Sequence, residues 1–209
     1  MRRLAPLCVL LAACGSPTDS GSGSGTLFAT IEVSGEPNST KIEVELLARG
    51  NPVIGANVAF EDHDTEETFV AEQKSAGSYR TTLEGYVRTL KVKITSGDDD
   101  LEATLEGPAP HVITRPQNNA IVARRDFDTL LVEWEADDAA DRVEIDVKDG
   151  EKLELSDDPF SAELPLGGLR NGEQKVEVLR ETNVDLDGGA EGSRMRSRYV
   201  VDNRFTLEG

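Results

Sequence analysis

The sequence predicts an all-β protein with two immunoglobulin-like β-sandwich domains. Apolar and polar residues alternate with a period of two in short segments along most of the chain, as in strands that bury one face of a sheet. Glycine, asparagine, aspartate and proline separate these segments at the spacing typical of sandwiches. No segment shows the apolar spacing of an amphipathic helix.

The first fourteen residues predict an export signal. Arg2 and Arg3 precede an apolar run over residues 4–13, which is about half as long as the roughly twenty residues of a membrane-spanning helix. Small residues close the run immediately before Cys14, as expected before a cleavage site. We therefore expect residues 1–13 to be a signal peptide that is removed on export.

The end of this segment, Leu11-Ala12-Ala13-Cys14, resembles the lipobox of bacterial lipoproteins. The resemblance implies that Cys14 becomes the first mature residue and carries a diacylglycerol thioether and a further acyl chain such as palmitate. Two or more acyl chains anchor a protein stably in the lipid bilayer, at about 0.8 kcal/mol per buried methylene. In this family Gly15 implies the outer membrane of the cell envelope, with the periplasmic or surface face left open. An ordinary signal-peptide cysteine is the alternative.

A flexible tether is expected to follow the lipidated cysteine, so that residues 14–25 form the anchor and its linker. Residues 15–25 are rich in glycine and serine, and such a chain has an r.m.s. reach of roughly 17–20 Å. Cleavage before Cys14 also removes Cys8, the other cysteine of the chain. The mature protein would then have no free thiol and no disulfide, which excludes cysteine catalysis and thiolate metal sites.

The region that is expected to fold is acidic throughout. There are 16 acidic and 7 basic residues over 26–107, and 23 acidic and 13 basic residues over 108–209, within a chain of net charge −18. Such a surface is repelled by the phosphates of nucleic acids and by anionic head groups, so we expect no nucleic-acid partner. The charge is explained by solubility, or alternatively by a bound divalent cation or a basic partner.

We expect the first domain to cover residues 26–107. Alternating apolar residues predict seven short strands, at 27–34, 41–46, 53–60, 68–73, 79–83, 90–94 and 101–106. Gly107-Pro108-Ala109-Pro110 then interrupts the pattern and predicts a domain boundary that proline stiffens.

Two segments of this domain carry a family resemblance. Residues 50–58 read Gly-Asn-Pro-Val-Ile-Gly-Ala-Asn-Val, and Gly77-Ser78-Tyr79 follows later in the chain. They resemble the turn-and-strand and Gly-x-Tyr elements of bacterial transthyretin-like or carboxypeptidase-regulatory-like domains. The resemblance implies a β-sandwich and no particular activity.

The second domain is expected to cover residues 108–209, with strands at 130–136, 143–147, 175–178 and 198–207. Residues 129–134, which end in Trp134, resemble the second strand of fibronectin type III domains, where a tryptophan lies in the core. Glu173, Gln174 and Lys175 stand where that family has a core tyrosine. The departure leaves the broader prediction of an immunoglobulin-like sandwich.

Acidic clusters supply the candidate cation ligands of this chain. They lie at residues 61–67, which include His63, at 98–100, at 137–141 and at 185–191. Carboxylate oxygens suit calcium, but no cluster matches the spacing of a defined calcium loop. We expect solvated hairpins and turns at these positions, and therefore neither a metal site nor a cofactor.

Catalysis has little support in the sequence. His63 and His111 are the only histidines, and His111 lies beside Pro110 in the expected linker. Serine hydrolase elbows, phosphate loops and zinc protease motifs do not occur. We expect a protein without catalytic residues that is not an enzyme.

Three further features bear on binding. Trp134 shares the inward face of its strand with Leu130 and is expected in the core, whereas Tyr86, next to Gly85 in a turn, is the aromatic residue that is expected to be exposed. Arg194, Arg196 and Arg198 alternate on one strand face and are expected to face nearby carboxylates; docking to an acidic partner is the alternative.

These observations together predict a non-enzymatic envelope lipoprotein. Its two β-sandwich domains would interact with, or space, another protein of the envelope while Cys14 holds the chain to the bilayer. The alternative is a lipoprotein that binds a cation or a small ligand with its acidic end loops.

Overall fold

The computed structural model describes residues 25–209, so the predictions for the signal segment, for Cys14 and for residues 15–24 lie outside the described residues. Within residues 25–209 the chain forms seventeen β-strands and one 3-10 turn, Arg124–Asp126, without an α-helix. The all-β prediction is confirmed.

Nine strands form two facing sheets in the first half of the described chain. They are β1 (Leu27–Glu36), β2 (Ser39–Ala48), β3 (Asn51–Pro52), β4 (Asn57–Asp62), β5 (Thr68–Val70), β6 (Glu72–Ser75), β7 (Ser78–Glu84), β8 (Thr89–Ser96) and β9 (Asp99–Glu106). One sheet has the order β1-β2-β7-β6 with β3 beside β2, and the other has the order β5-β4-β8-β9. Alternate residues such as Ile31, Leu46, Phe60 and Val92 fill the core between them.

Two of the predicted strands are wrong in their extent. The segment 68–73 is split, because β5 pairs with β4 in one sheet while β6 pairs with β7 in the other. Ala71, buried between them, marks the crossing. The segment 53–60 becomes extended only at Asn57, because Gly55 has a φ of 76°, a left-handed conformation that interrupts a strand.

The two segments that carry the transthyretin-like resemblance lie against each other. The hydroxyl of buried Tyr79 accepts a hydrogen bond from the amide of Ala56 at 3.0 Å and donates to the carbonyl of Val53 at 3.3 Å. The amide of Gly77 donates to the same Val53 carbonyl at 2.8 Å. The two motif segments therefore form one hydrogen-bonded corner of the first sandwich.

Eight strands follow in the second half. They are β10 (His111–Arg115), β11 (Ala120–Ala123), β12 (Thr129–Ala136), β13 (Arg142–Val147), β14 (Leu153–Leu155), β15 (Ser161–Pro165), β16 (Gly172–Asp185) and β17 (Arg194–Glu208). A three-stranded sheet, β10-β12-β15, faces the strands β14-β13-β16-β17. Their core contains Val132, Ile145, Phe205 and Trp134, which confirms the inward placement of the tryptophan.

The hairpin of β16 and β17 extends from one core into the other. Its strands have 14 and 15 residues, and at about 3.4 Å per residue they are roughly 48–51 Å long. Phe205 lies in the second core, whereas Met195 and Leu186 near the hairpin tip lie in the first. β17 also pairs in parallel with β1, from Thr30 opposite Arg194 onward. Both halves thus share one ten-stranded sheet; the domain boundary at residues 107 and 108 stays a prediction.

Candidate functional site

A fully buried arginine of the second half holds the linker against the second core. The Arg180 Nε donates to Asp158 Oδ2 at 2.6 Å, and both side chains are completely shielded from solvent. The other guanidinium nitrogens donate to the carbonyls of Ala109, at 2.7 Å, and of Asp138. Asp158 also accepts the indole N–H of Trp134 at 2.8 Å. Because desolvating two charges is costly, these additional hydrogen bonds are what make the pair tolerable.

The expected linker lies at the junction between the two halves. Gly107, Pro108 and Ala109 are buried, and the Ala109 carbonyl is held by Arg180 as described. The hydroxyl of Tyr86 donates to the Pro108 carbonyl at 2.7 Å. The backbone between the halves is therefore fixed from both sides by side chains.

Aromatic rings pack beside the linker. The rings of Tyr86 and Tyr199 lie 4.5 Å apart between centroids, and His111 meets Tyr199 edge-on at 5.6 Å. Burial raises the pKa of Tyr86 to about 12. The prediction of Tyr86 as an exposed aromatic residue is wrong, because Tyr86 is half-buried and its ring packs on that of Tyr199. Among the described residues Phe127 is exposed instead, at 59 %.

His111 lies in β10 rather than in a free linker, which corrects the sequence interpretation. It is only 3 % exposed, and its Nε2 lies 3.0 Å from the carbonyl oxygen of Val178. Burial, together with the nearby Arg180 charge, lowers the pKa of His111 to about 4. The imidazole is therefore neutral at pH 7, and its Nε2–H donates to β16. Its Nδ1 has no hydrogen-bond partner within residues 25–209.

An open groove with a volume of about 730 Å³ lies where the turn between β1 and β2 approaches the second half. We call it the junction groove. Its lining combines apolar and aromatic side chains with two carboxylates: Pro37, Pro110, Val112, Tyr199, Glu135 and Asp137. Clefts of about 300–1,000 Å³ are the usual size of ligand sites, and they are often found between domains.

A second cavity of about 340 Å³ lies within the second half. Its lining is mostly apolar and includes Val122, Leu130 and the exposed ring of Phe127. Glu163, the acidic residue of this lining, accepts a hydrogen bond from Thr129. The cavity has fewer polar groups than the junction groove with which to orient a ligand.

The acidic cluster at residues 61–67 lies in the hairpin of β4 and β5, as predicted. Asp62 is buried, and its oxygens accept hydrogen bonds from the Asp64 amide at 3.0 Å and the Thr65 hydroxyl at 2.9 Å. His63 is exposed to solvent. The carboxylate of Asp62 thus closes the turn of its own hairpin.

The acidic segment at residues 185–191 covers the end of β16 and most of the loop that leads to β17, and it packs on the first half. The amide and carbonyl of Asp187 pair with those of Glu102 at 2.9 and 3.1 Å, and the amide of Ala190 donates to Leu27 at 2.8 Å. A Cβ atom on Gly188 would lie 2.3 Å from the carbonyl oxygen of Asp100. These backbone contacts attach the hairpin tip to β1 and β9.

The remaining acidic positions lie apart in the fold. Asp138 forms an ion pair with Arg88 across the junction, and Asp141 accepts a hydrogen bond from the Asn183 amide at 3.0 Å. The segment 98–100 supplies part of the turn between β8 and β9 and the start of β9. Across residues 25–209 no group of three or more histidine, cysteine, aspartate or glutamate side chains is arranged to hold a metal ion.

The predicted arginine stripe faces carboxylates at two of its three positions. Arg196 contacts Glu32 on the neighbouring β1, with its Nε 3.0 Å from Glu32 Oε2. Arg198 donates to Glu181 at 2.8 Å, and the Glu181 side chain is only 7 % exposed. These pairs hold β16, β17 and β1 in register at the place where the two halves join.

Comparisons with known proteins identify no family: no family model matches the chain, and no curated protein matches it. The chain is similar to solved fibronectin(III)-like modules of Clostridium thermocellum CbhA, with 18 % identity and a TM-score of 0.27, over 83 % of this chain and 94 % of that one.

Two other solved structures are similar over most of this chain. The Yersinia pseudotuberculosis adhesin InvE has 11 % identity and a TM-score of 0.27, over 90 % of this chain and 61 % of that one. A chimeric titin Z1Z2 with an exogenous decorin peptide has 13 % identity and a TM-score of 0.25, over 86 % of this chain and 94 % of that one. TM-scores this low carry no argument about function. In the described part of the chain no helix is long and apolar enough to cross a membrane.

Proposed function

We propose that this chain is a non-enzymatic lipoprotein of the bacterial envelope that displays two joined β-sandwich domains for protein interaction or spacing. In this proposal acylated Cys14 is the anchor, and residues 15–25 are the tether between the outer membrane and β1. The β16–β17 hairpin carries the proposal, because it contributes residues to both cores and pairs with β1. A connection of this kind holds the two domains to each other, which suits a spacer or a binding surface that both domains share.

The use of the ionisable side chains supports a role without catalysis. Arg180 and Asp158 satisfy each other and the surrounding backbone, His111 donates to a backbone carbonyl, and His63 lies on an exposed turn. Catalysis by a serine triad needs a histidine base close to its nucleophile. The groups with strongly altered environments thus act in holding the junction together.

The anchor is tested by expressing the full chain in a Gram-negative host, fractionating the cells and measuring the intact mass of the mature protein. We expect a mature chain that begins at Cys14, carries the added mass of acyl chains and remains with the membranes. Cys14→Ala should abolish the added mass. Cys8→Ala is the matched control and should leave both mass and location unchanged, because residue 8 is removed with the signal. An unacylated mature chain would contradict the proposal.

The interaction role is tested by cross-linking the tagged protein in its own envelope, with Cys14→Ala in parallel. We expect a stoichiometric envelope partner that is captured with the anchored chain and lost with the unanchored variant. If the anchored and unanchored chains capture the same background, the interaction role is wrong, and spacing alone is left.

A further inference from the structure

The outer face of the strand pair β10–β12 places apolar surface and negative charge side by side. Val112 and Glu135 are directly opposite each other in the register, and such cross-strand neighbours share one face of a sheet. Val112 is 59 % exposed although it is apolar. Together with Pro37 and Pro110 it forms an apolar wall of the junction groove, next to the Glu135 carboxylate.

The two carboxylates that line the groove, Glu135 and Asp137, belong to exposed residues. Neither Glu135 nor Asp137 takes part in an ion pair within residues 25–209. Glu133, two positions earlier on the same strand, is paired with Arg115 at 3.0 Å. The negative charge of the groove is therefore left for a ligand, whereas the charge beside it is already compensated.

Among the described residues, no lysine or arginine lines the groove. His111 is neutral at pH 7, because its pKa is lowered to about 4. The buried Arg180, whose charge acts on His111, is compensated by Asp158. Tyr199 adds an aromatic ring to the lining. A cationic group in the groove thus meets two carboxylates and no positive charge among the residues that line it.

We propose that the junction groove binds an arginine side chain presented by a basic segment of a partner protein. Arginine suits this surface because its methylene stem packs on apolar walls while its planar guanidinium pairs with carboxylates. The net charge of −18 favours the approach of a basic partner over long range. The inference rests on the proposed role of this chain in protein interaction.

The test uses the full chain in a non-ionic detergent and a pentapeptide, Gly-Arg-Gly-Arg-Gly, that carries an uncharged fluorophore. Binding is followed by fluorescence anisotropy at low ionic strength. The matched probe replaces both arginines with citrulline, which keeps the shape of the side chain and removes its charge. We expect the arginine peptide to bind up to about fivefold more tightly, as expected for an ion pair between solvent-exposed groups. Equal affinity for the two peptides would overturn the proposal.

Paired variants then locate the binding site. Glu135→Gln combined with Asp137→Asn should weaken binding of the arginine peptide by up to about fivefold. Asp146→Asn combined with Glu151→Gln changes the net charge by the same amount at exposed positions that do not line the groove, and should leave the affinity within about twofold.

Equal losses in the two double variants would show that only net charge matters and would refute the groove. This outcome is separate from the acylation of Cys14, so failure of the anchor and failure of the groove are distinguished.

Discussion

Replacing Asp158 with asparagine tests whether the buried ion pair holds the second core and the linker together. Asparagine keeps the volume of the side chain but removes its charge, so the Arg180 guanidinium, which is completely shielded from solvent, loses its counter-charge. Removing one partner of a buried pair costs about 3–5 kcal/mol. This is a large share of the total stability of a domain, which is about 5–15 kcal/mol.

Urea unfolding followed by the fluorescence of Trp134 measures this loss. Trp134 is the single tryptophan of the chain, and its indole nitrogen contacts Asp158, so the signal reports on this core. With a slope of about 2–3 kcal/mol per M, the unfolding midpoint should fall by roughly 1–2.5 M.

The neighbouring variant Asp157→Asn is the matched control. Asp157 is exposed, and its replacement should cost less than about 0.5 kcal/mol. Combining Asp158→Asn with Arg180→Met should recover part of the loss, because no unpaired charge is then buried. The reasoning fails if Asp158→Asn costs no more than Asp157→Asn.

Three other predictions concern the junction and the hairpin tip. The pKa of His111 is about 4 in the folded chain, against 6.5 ordinarily. As the pH falls, the imidazole is therefore protonated in the unfolded chain before it is protonated in the folded chain. The folded state should lose about 3 kcal/mol of stability between pH 6.5 and pH 4. His111→Asn should flatten the dependence of the unfolding free energy on pH, measured by urea titration, and His63→Asn should not. Parallel pH profiles for the unchanged chain and both variants would contradict the role assigned to His111. Gly188→Ala should lower the free energy of unfolding by about 2–4 kcal/mol, because Gly188 has a φ of 77° and a Cβ atom there would meet a carbonyl oxygen. The matched variant Gly97→Ala, at a φ of 62° with open space around it, should cost about 1 kcal/mol. Equal losses on thermal unfolding would count against the close contact at Gly188. Glu181→Gln should lower the free energy of unfolding in urea by about 1–3 kcal/mol, because this buried carboxylate accepts a hydrogen bond from Arg198; an unchanged free energy of unfolding would remove the role assigned to it.

The alternation of apolar and polar residues was sufficient to predict the strands of sheets that have one buried and one solvent-exposed face. In β1 the apolar residues Leu27, Ala29, Ile31 and Val33 are all fully buried, because a period of two directs every second side chain to the same face. The short strands β10, β11, β14 and β15 were not predicted. They have three to five residues, too few for a period to be recognised.

The buried ion pair of Arg180 and Asp158 was not predicted either, although the sequence contained a signal for it. Arg180 stands in phase with Val176 and Val178 on the inward face of β16. A charged residue on the inward face of a strand usually indicates that the buried strand has ended. The strand can continue only if a buried counter-charge pairs with that residue. That counter-charge, Asp158, lies in a loop 22 residues earlier, and its position depends on how the loop packs.

The sequence by itself determined the all-β class, the inward faces of the longer strands and the uniform negative charge, since these depend on local residue order and composition. Only the tertiary structure decided that β17 lies parallel to β1 and that Arg196 reaches Glu32, 164 residues away. Alternation specifies which face of a strand is buried but not which strand becomes its neighbour. Because the entropy of closing a loop rises only slowly with its length, distant partners compete with near ones, and the packing of both cores decides between them.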